Sequence, residues 1–260
     1  MSTHSSHDRR ESLKNDRDTY STCTDESLQA SKRKFLQTQS ISAGALTCDL
    51  YRNAQLPKAL LDKRLRRQAY QIAQQGNYIE AIQILNRLIA CHPANATDYN
   101  NRGLFHFQNG QFGQALEDYN HAIRLNPQLA SAYNNRANCY ASQKQLAAAI
   151  ADYEMAIDLN PFHARARINK GIVLRDLRLY SAALETFDIA LYFNQLNEHV
   201  YAERGRTYHL LGDWNGAIAD YHRALDCLDD FEQPLSSEAN RLRANIRRWL
   251  DELLGPLHRQ

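Results

Sequence analysis

The sequence predicts an all-α fold: a solenoid of about five stacked helix pairs, one further helix that caps its C-terminal end, and a disordered N-terminal tail. Three observations carry this prediction. Ala81, Ala115, Ala149, Ala183 and Ala217 lie 34 residues apart. Around each of them apolar residues recur on one helix face: Leu85, Tyr119, Tyr153, Phe187 or Tyr221 four residues on, then Leu88, Ala122, Ala156, Ala190 or Ala224 after three more. Glycine and proline number only 10 and 6 in 260 residues, too few for the turns of an all-β chain.

The elements follow in order. Residues 1–57 are dominated, up to about residue 50, by Ser, Thr, Asp, Lys and Arg without helical periodicity. Such a segment buries too little apolar area to offset the entropy of ordering it, and it is expected to be disordered. From residue 58 the repeats begin, framed as 62–95, 96–129, 130–163, 164–197 and 198–231. A small residue stands twelve positions before each recurrent alanine: Ala69, Gly103, Ala137, Gly171 and Gly205. Pro93, Pro127 and Pro161 close the first three frames, because proline cannot continue a helical hydrogen-bond ladder. The fourth and fifth frames carry Gln195 and Asp229 there. Residues 236–254 then read as one more helix, with Ser236 or Ser237 as N-cap, Glu238 in the first turn, Leu242, Ile246, Trp249, Leu250 and Leu253 at helical spacing, and Gly255 at the end.

A 34-residue period with small residues at fixed offsets resembles the tetratricopeptide repeat (TPR), and residues 99–127, YNNRGLFHFQNGQFGQALEDYNHAIRLNP, resemble one unit along their whole length. The resemblance implies two antiparallel helices, A and B, in each repeat, stacked as a right-handed superhelix. One such hairpin cannot bury its apolar stripe alone, so neighbours must stack. The "NRG", "DY…AI" and "LNP" elements are similar to those of bacterial, especially cyanobacterial, TPR proteins.

One position departs from the family's pattern. Where TPR units usually have leucine before the small helix-A residue, this chain has Arg102, Arg136, Lys170 and Arg204. Sixteen residues later come Asp118, Asp152, Thr186 and Asp220. Arginine occurs with aspartate, and lysine occurs where aspartate is missing. This predicts a structural Arg–Asp pair bridging helices A and B in the second, third and fifth repeats.

The resemblance places helix A on the inner, concave face. Asn101, Asn135 and Asn169 then line the groove in successive repeats, joined by Asn134 and Asn138. An asparagine offers both donor and acceptor and can hold a peptide backbone without reading its side chains. Further groove positions are Lys63, Arg66, Arg67, Tyr70, Asn100, Phe107, Arg165, Arg175, Asp176, His199, Glu203, Arg206 and His209. Six of these are Lys or Arg and two are acidic, so the groove is expected to be positive and to take an extended acidic segment. Tyr70 and Phe107 would seat an apolar side chain. The two-carboxylate clamp with which co-chaperone TPR domains hold a chaperone tail requires basic residues at helix-A positions. This chain places Asn134, Asn138, Asn169, His199 and Glu203 there, or Asn100, Leu104, Asn135, Arg165 and Asn169. The two asparagines fit and the basic positions fail, so no receptor of that type is expected.

No GxGxxG, GxxxxGK[ST], GxSxG or HExxH motif is present, and no residues remain for a catalytic domain, so no enzyme, cofactor or small-molecule substrate is expected. His4 and His7 make no credible metal site. Cys23, Cys48, Cys91, Cys139 and Cys227 form no CxxC pair, which points to a reducing compartment. A net charge of +2 names no partner. No apolar run reaches the roughly 18 residues of a membrane span. The expected role is a cytoplasmic, non-catalytic scaffold or adaptor that reaches membranes only through a partner. Two further classes follow from the sequence: an assembly factor for a photosynthetic or other membrane complex, and nucleic-acid association through the tail and Lys63, Arg64, Arg66 and Arg67.

Overall fold

The recurrent alanines are the places where helices cross. In the computed structural model, which describes residues 58–229 and 236–255, Ala81, Ala115, Ala149, Ala183 and Ala217 are all fully buried. The described residues form eleven helices: α1 (Lys58–Gln74), α2 (Tyr78–Cys91), α3 (Ala96–Gln108), α4 (Phe112–Leu125), α5 (Ala130–Ser142), α6 (Leu146–Leu159), α7 (Ala164–Asp176), α8 (Tyr180–Tyr192), α9 (Asn197–Leu211), α10 (Trp214–Asp229) and α11 (Ser237–Leu254). The odd-numbered helices α1 to α9 are the A helices and the even-numbered ones their B partners. The tail expected over residues 1–57 lies outside the described residues, as do the last two positions of the fifth frame.

The small helix-A residue and the large helix-B residue sixteen positions on form one contact. A Cβ built on Gly103 would lie 2.7 Å from Tyr119 Cε1, one on Gly171 2.6 Å from Phe187 Cε1, and one on Gly205 2.9 Å from Tyr221 Cδ1. The rings of Tyr119, Phe187 and Tyr221 are wholly buried against these glycines. In the first repeat the ring is replaced by Leu85 and the small residue is Ala69.

Each B helix packs between its own A helix and the next one. Consecutive A helices also touch, α3 with α5, α5 with α7, and α7 with α9, so the A layer is the tighter, inner one. Where the proline-closed frames end, α2, α4 and α6 stop two residues before Pro93, Pro127 and Pro161. The fourth repeat has no proline. Its α8–α9 connection instead turns through Asn194 and Leu196, with φ of 51° and 53°.

Helix α11 begins with Ser236 Oγ accepting the Ala239 N–H. It buries Leu242, Ile246 and Leu250 against Ala217, Tyr221, Ala224 and Leu228, with Trp249 stacked on Tyr221 at 5.7 Å. This closes the apolar edge that the fifth repeat would otherwise expose, as the sequence predicts.

Candidate functional site: the inner face of the A helices

Asparagines dominate the middle of the inner face, and they are wired to one another. Tyr70 Oη donates to Asn101 Oδ1 at 2.8 Å, and Asn100 Nδ2 donates to the same oxygen at 3.4 Å. Asn135 Nδ2 donates to Asn100 Oδ1 at 3.0 Å, and Asn134 Nδ2 to Asn135 Oδ1 at 3.2 Å. One amide chain therefore runs from α1 through α3 to α5. A second group joins α5 to α7: Asn138 Oδ1 accepts from Asn169 Nδ2 at 2.9 Å and from Tyr153 Oη at 2.7 Å.

This corrects the picture of a ladder of free amides. Asn100, Asn101 and Asn134 are buried, and the Tyr70–Asn101 and Asn135–Asn100 bonds hold neighbouring repeats together. Asn135, Asn138 and Asn169 are only partly buried. They retain capacity, because an amide has two donor hydrogens and two lone pairs. Asn138 uses only its oxygen in these bonds, so both hydrogens of its Nδ2 stay available, and Asn169 uses only its nitrogen.

The expected positive groove is also corrected. Arg66 holds Asp98 in a bidentate pair at 2.6 and 2.8 Å. Arg175 pairs with Glu203 across α7 and α9. Arg206 pairs with Glu252 at 3.0 Å and lies over the Trp249 ring. Arg165 and Glu238 approach to 3.9 Å, both largely exposed. His199 faces Glu198 at 3.1 Å and Glu238 at 3.8 Å, and its hydrogen bond to Glu198 holds that carboxyl below its usual range. Two of these four arginines are matched by α11, so helix-A positions alone miscount the charge. Of the expected groove cations, Lys63 and Arg67 on α1 are exposed and make no ion pair among the described residues.

The aromatic candidates are committed as well. Tyr70 packs edge-on against Phe105 at 5.3 Å, and burial, with the Asp98 charge, pushes its phenol up. Phe107 packs edge-on against Phe112 at 5.7 Å and is partly buried.

Away from the inner face, the predicted Arg–Asp pairs form. Arg102, Arg136 and Arg204 each donate from Nε and Nη2 to the two carboxylate oxygens of Asp118, Asp152 and Asp220, at 2.6–2.9 Å. Each arginine also reaches sixteen residues backwards to the preceding B helix: Arg102 to Asn86 at 2.7 Å, Arg136 to Asn120 at 2.6 Å and Arg204 to Asp188 at 2.5 Å. The sequence reading missed this second arm, although Asn86, Asn120, Glu154 and Asp188 share the 34-residue period. Each guanidinium thus ties helix A to the B helices on both sides. For Arg136 the Asp152 hydrogen bond outweighs burial and raises its pKa further; for Arg102 burial opposes the charge, and Asp118 overcomes it.

Among the described residues no helix is long and apolar enough to cross a membrane, and no group of His, Cys, Asp and Glu could hold a metal ion.

The family model described as "Tetratricopeptide repeat" matches residues 130–163, and a second model of the same description matches residues 67–137. A comparison with curated protein sequences finds no match. Among solved structures, a thermophilic TPR protein of Thermus thermophilus is 18% identical, with a TM-score of 0.61 over 73% of this chain and 98% of that one. PilF of Pseudomonas aeruginosa is 18% identical, with a TM-score of 0.59 over 75% and 93%. MamA of Desulfovibrio magneticus is 15% identical, with a TM-score of 0.56 over 66% and 97%. At these identities the likeness is one of fold.

Proposed function

Because this chain belongs to the tetratricopeptide-repeat family, a family of protein-interaction modules, we propose that it is a non-catalytic scaffold that takes an extended segment of a partner protein along the inner face of α3, α5 and α7. The observation that carries this reading is the half-satisfied amide group at Asn135, Asn138 and Asn169. These side chains are held in place by bonds between repeats, yet keep donors and acceptors that those bonds do not use. Pre-orientation lowers the entropic cost of engaging a peptide backbone. Lys63 and Arg67 favour acidic side chains at the α1 end of such a segment. Toward α9 an acidic segment competes with Glu203, Glu238 and Glu252 for the arginines. A part in assembling a larger complex, at a membrane or elsewhere, is one use of such a scaffold.

The test is affinity capture from native lysate with wild type and with the Asn135→Ala/Asn138→Ala/Asn169→Ala variant at two salt concentrations. Loss of a specific partner from a variant that still melts cooperatively supports the reading. Retention of every partner overturns it.

A further inference from the structure

The five A–B turns lie along one edge of the stack and share one backbone. Each centres on a left-handed residue: Gly76, Gly110, Lys144, Arg178 and Gly212, with φ of 83°, 75°, 62°, 61° and 87°. The chemistry around that residue is not shared. In the first three repeats its neighbours are polar: Gln75 and Asn77, Asn109 and Gln111, Gln143 and Gln145. In the fourth they are Leu177 and Leu179, and in the fifth Leu210, Leu211 and Trp214 crowd the same edge. These five side chains are 41–55% exposed. The turn does not require the leucines that flank its left-handed residue, since Gln143 and Gln145 stand there in the third repeat; Trp214 occupies the position of Tyr78, Phe112, Leu146 and Tyr180.

The two turns are neighbours. Helices α7 and α9 touch, and Arg175 spans them to reach Glu203. The leucines and the tryptophan therefore stand on successive turns of one edge, and exposed apolar residues gathered in this way mark interaction sites. Charges of both signs border the patch, and Asp176 beside Leu177 is already taken up by Arg175 at 3.8 Å. Arg178 stands between the leucines of the fourth turn and Asp213 beside Leu211 in the fifth; both are exposed, and neither makes an ion pair among the described residues. Asp213 Oδ1 accepts the Gly216 N–H at 3.0 Å, which holds the carboxylate at the start of α10.

We propose that this edge is an isologous dimer interface whose occupant is a second copy of the chain. A two-fold axis between the two turns runs the edges antiparallel. The fourth turn of one copy then meets the fifth turn of the other, so Arg178 faces Asp213 in both directions while Leu177 and Leu179 close over Leu211 and Trp214. Self-complementarity of this sort is what a two-fold contact requires. The inner faces stay clear of the contact, so the dimer presents two grooves, and a partner with two copies of its segment gains avidity. The inference does not depend on the groove reading, because its surface is a different one.

The test is sedimentation velocity of the full chain from micromolar to millimolar concentration. Wild type should pass from monomer to dimer. Leu177→Gln/Leu179→Gln installs the residues that the third turn already carries, so it should melt as wild type does yet shift the association midpoint at least tenfold upward. Arg178→Asp should weaken association similarly, and Arg178→Asp/Asp213→Arg should restore it. A chain that stays monomeric throughout overturns the proposal. So does a dimer indifferent to the glutamine substitutions, or a charge exchange that fails to restore association.

Discussion

Repeats three and four are adjacent and share one backbone plan, but they are fastened differently. In repeat three, Arg136 clamps Asp152 of its own B helix and Asn120 of the one before, and lies over the rings of Tyr133 and Tyr140. In repeat four, Lys170 reaches only backwards, to Glu154 at 2.8 Å. Thr186, at the aspartate position, turns its hydroxyl to the Ala182 carbonyl of its own helix. The flanking tyrosines are replaced by Arg167 and Leu174. The buried Arg167 bonds the Pro161 carbonyl and lies 4.3 Å from the Phe193 ring, while burial lowers its pKa. The lesson is that the shape-setting contact, a small residue against a large ring, is kept in both repeats, whereas the polar fastening is replaceable. Repeat four has no Arg–Asp clamp between α7 and α8, and packing with the Arg167–Phe193 contact stands in its place.

The largest effect should come from breaking the clamp. Asp152→Ala leaves a mostly buried guanidinium without its main counter-charge and should cost about 2–4 kcal/mol in denaturant unfolding. Thr186→Ala, at the same position of repeat four, should cost under about 1 kcal/mol. Equal costs would erase the contrast. Next, Gly171→Ala drives a methyl to 2.6 Å from Phe187 and should cost about 1–3 kcal/mol, although alanine favours helix. A stabilised variant would show that the contact is not what sets the crossing. Installing the clamp is the constructive test: Lys170→Arg and Thr186→Asp should couple by about 1–2 kcal/mol in a double-mutant cycle.

A smaller effect lies at the junction between the two repeats. His163 Nδ1 accepts the Ala166 N–H and caps α7. Burial, together with the charges of Arg165 and Arg167, holds its pKa below the ordinary 6.5. The folded state therefore prefers the neutral ring. Its contribution is present above pH 6.5 and is lost as pH falls through that value toward the depressed one. A protonated Nδ1 cannot accept, so the cap, worth about 1 kcal/mol, goes with it. His163→Asn keeps an acceptor without titrating, and the fall in Tm between pH 7 and pH 5 should shrink. The smallest effect is at the turns, where Lys144→Gly should change stability by only some tenths of a kcal/mol, because relief of the left-handed strain is offset by a freer unfolded chain.

Much of this was legible in the sequence, for a physical reason. A 34-residue period fixes which face each residue occupies, so the crossing alanines, the forward Arg–Asp arm and the capping face of α11 could be read directly. Partners across repeats are set by the stagger between helices, which periodicity does not encode. For that reason the Tyr70–Asn101 and Asn135–Asn100 bonds were missed, and so was the backward arm of each arginine. The groove charge was misjudged because Glu238 and Glu252 arrive from outside the repeats. The left-handed turns at Lys144 and Arg178 carry no glycine to announce them, and only their alignment with Gly76, Gly110 and Gly212 reveals them.

The most direct test of the central claim is photo-crosslinking in native lysate. A benzophenone side chain is placed at Phe107 on the inner A layer or, as control, at Tyr192, which is 85% exposed on a B helix. A scaffold that works through its inner face should yield a discrete partner from position 107, lost in the Asn135→Ala/Asn138→Ala/Asn169→Ala background, and none from position 192. A partner captured from position 192 alone would contradict it and move the working surface to the B helices.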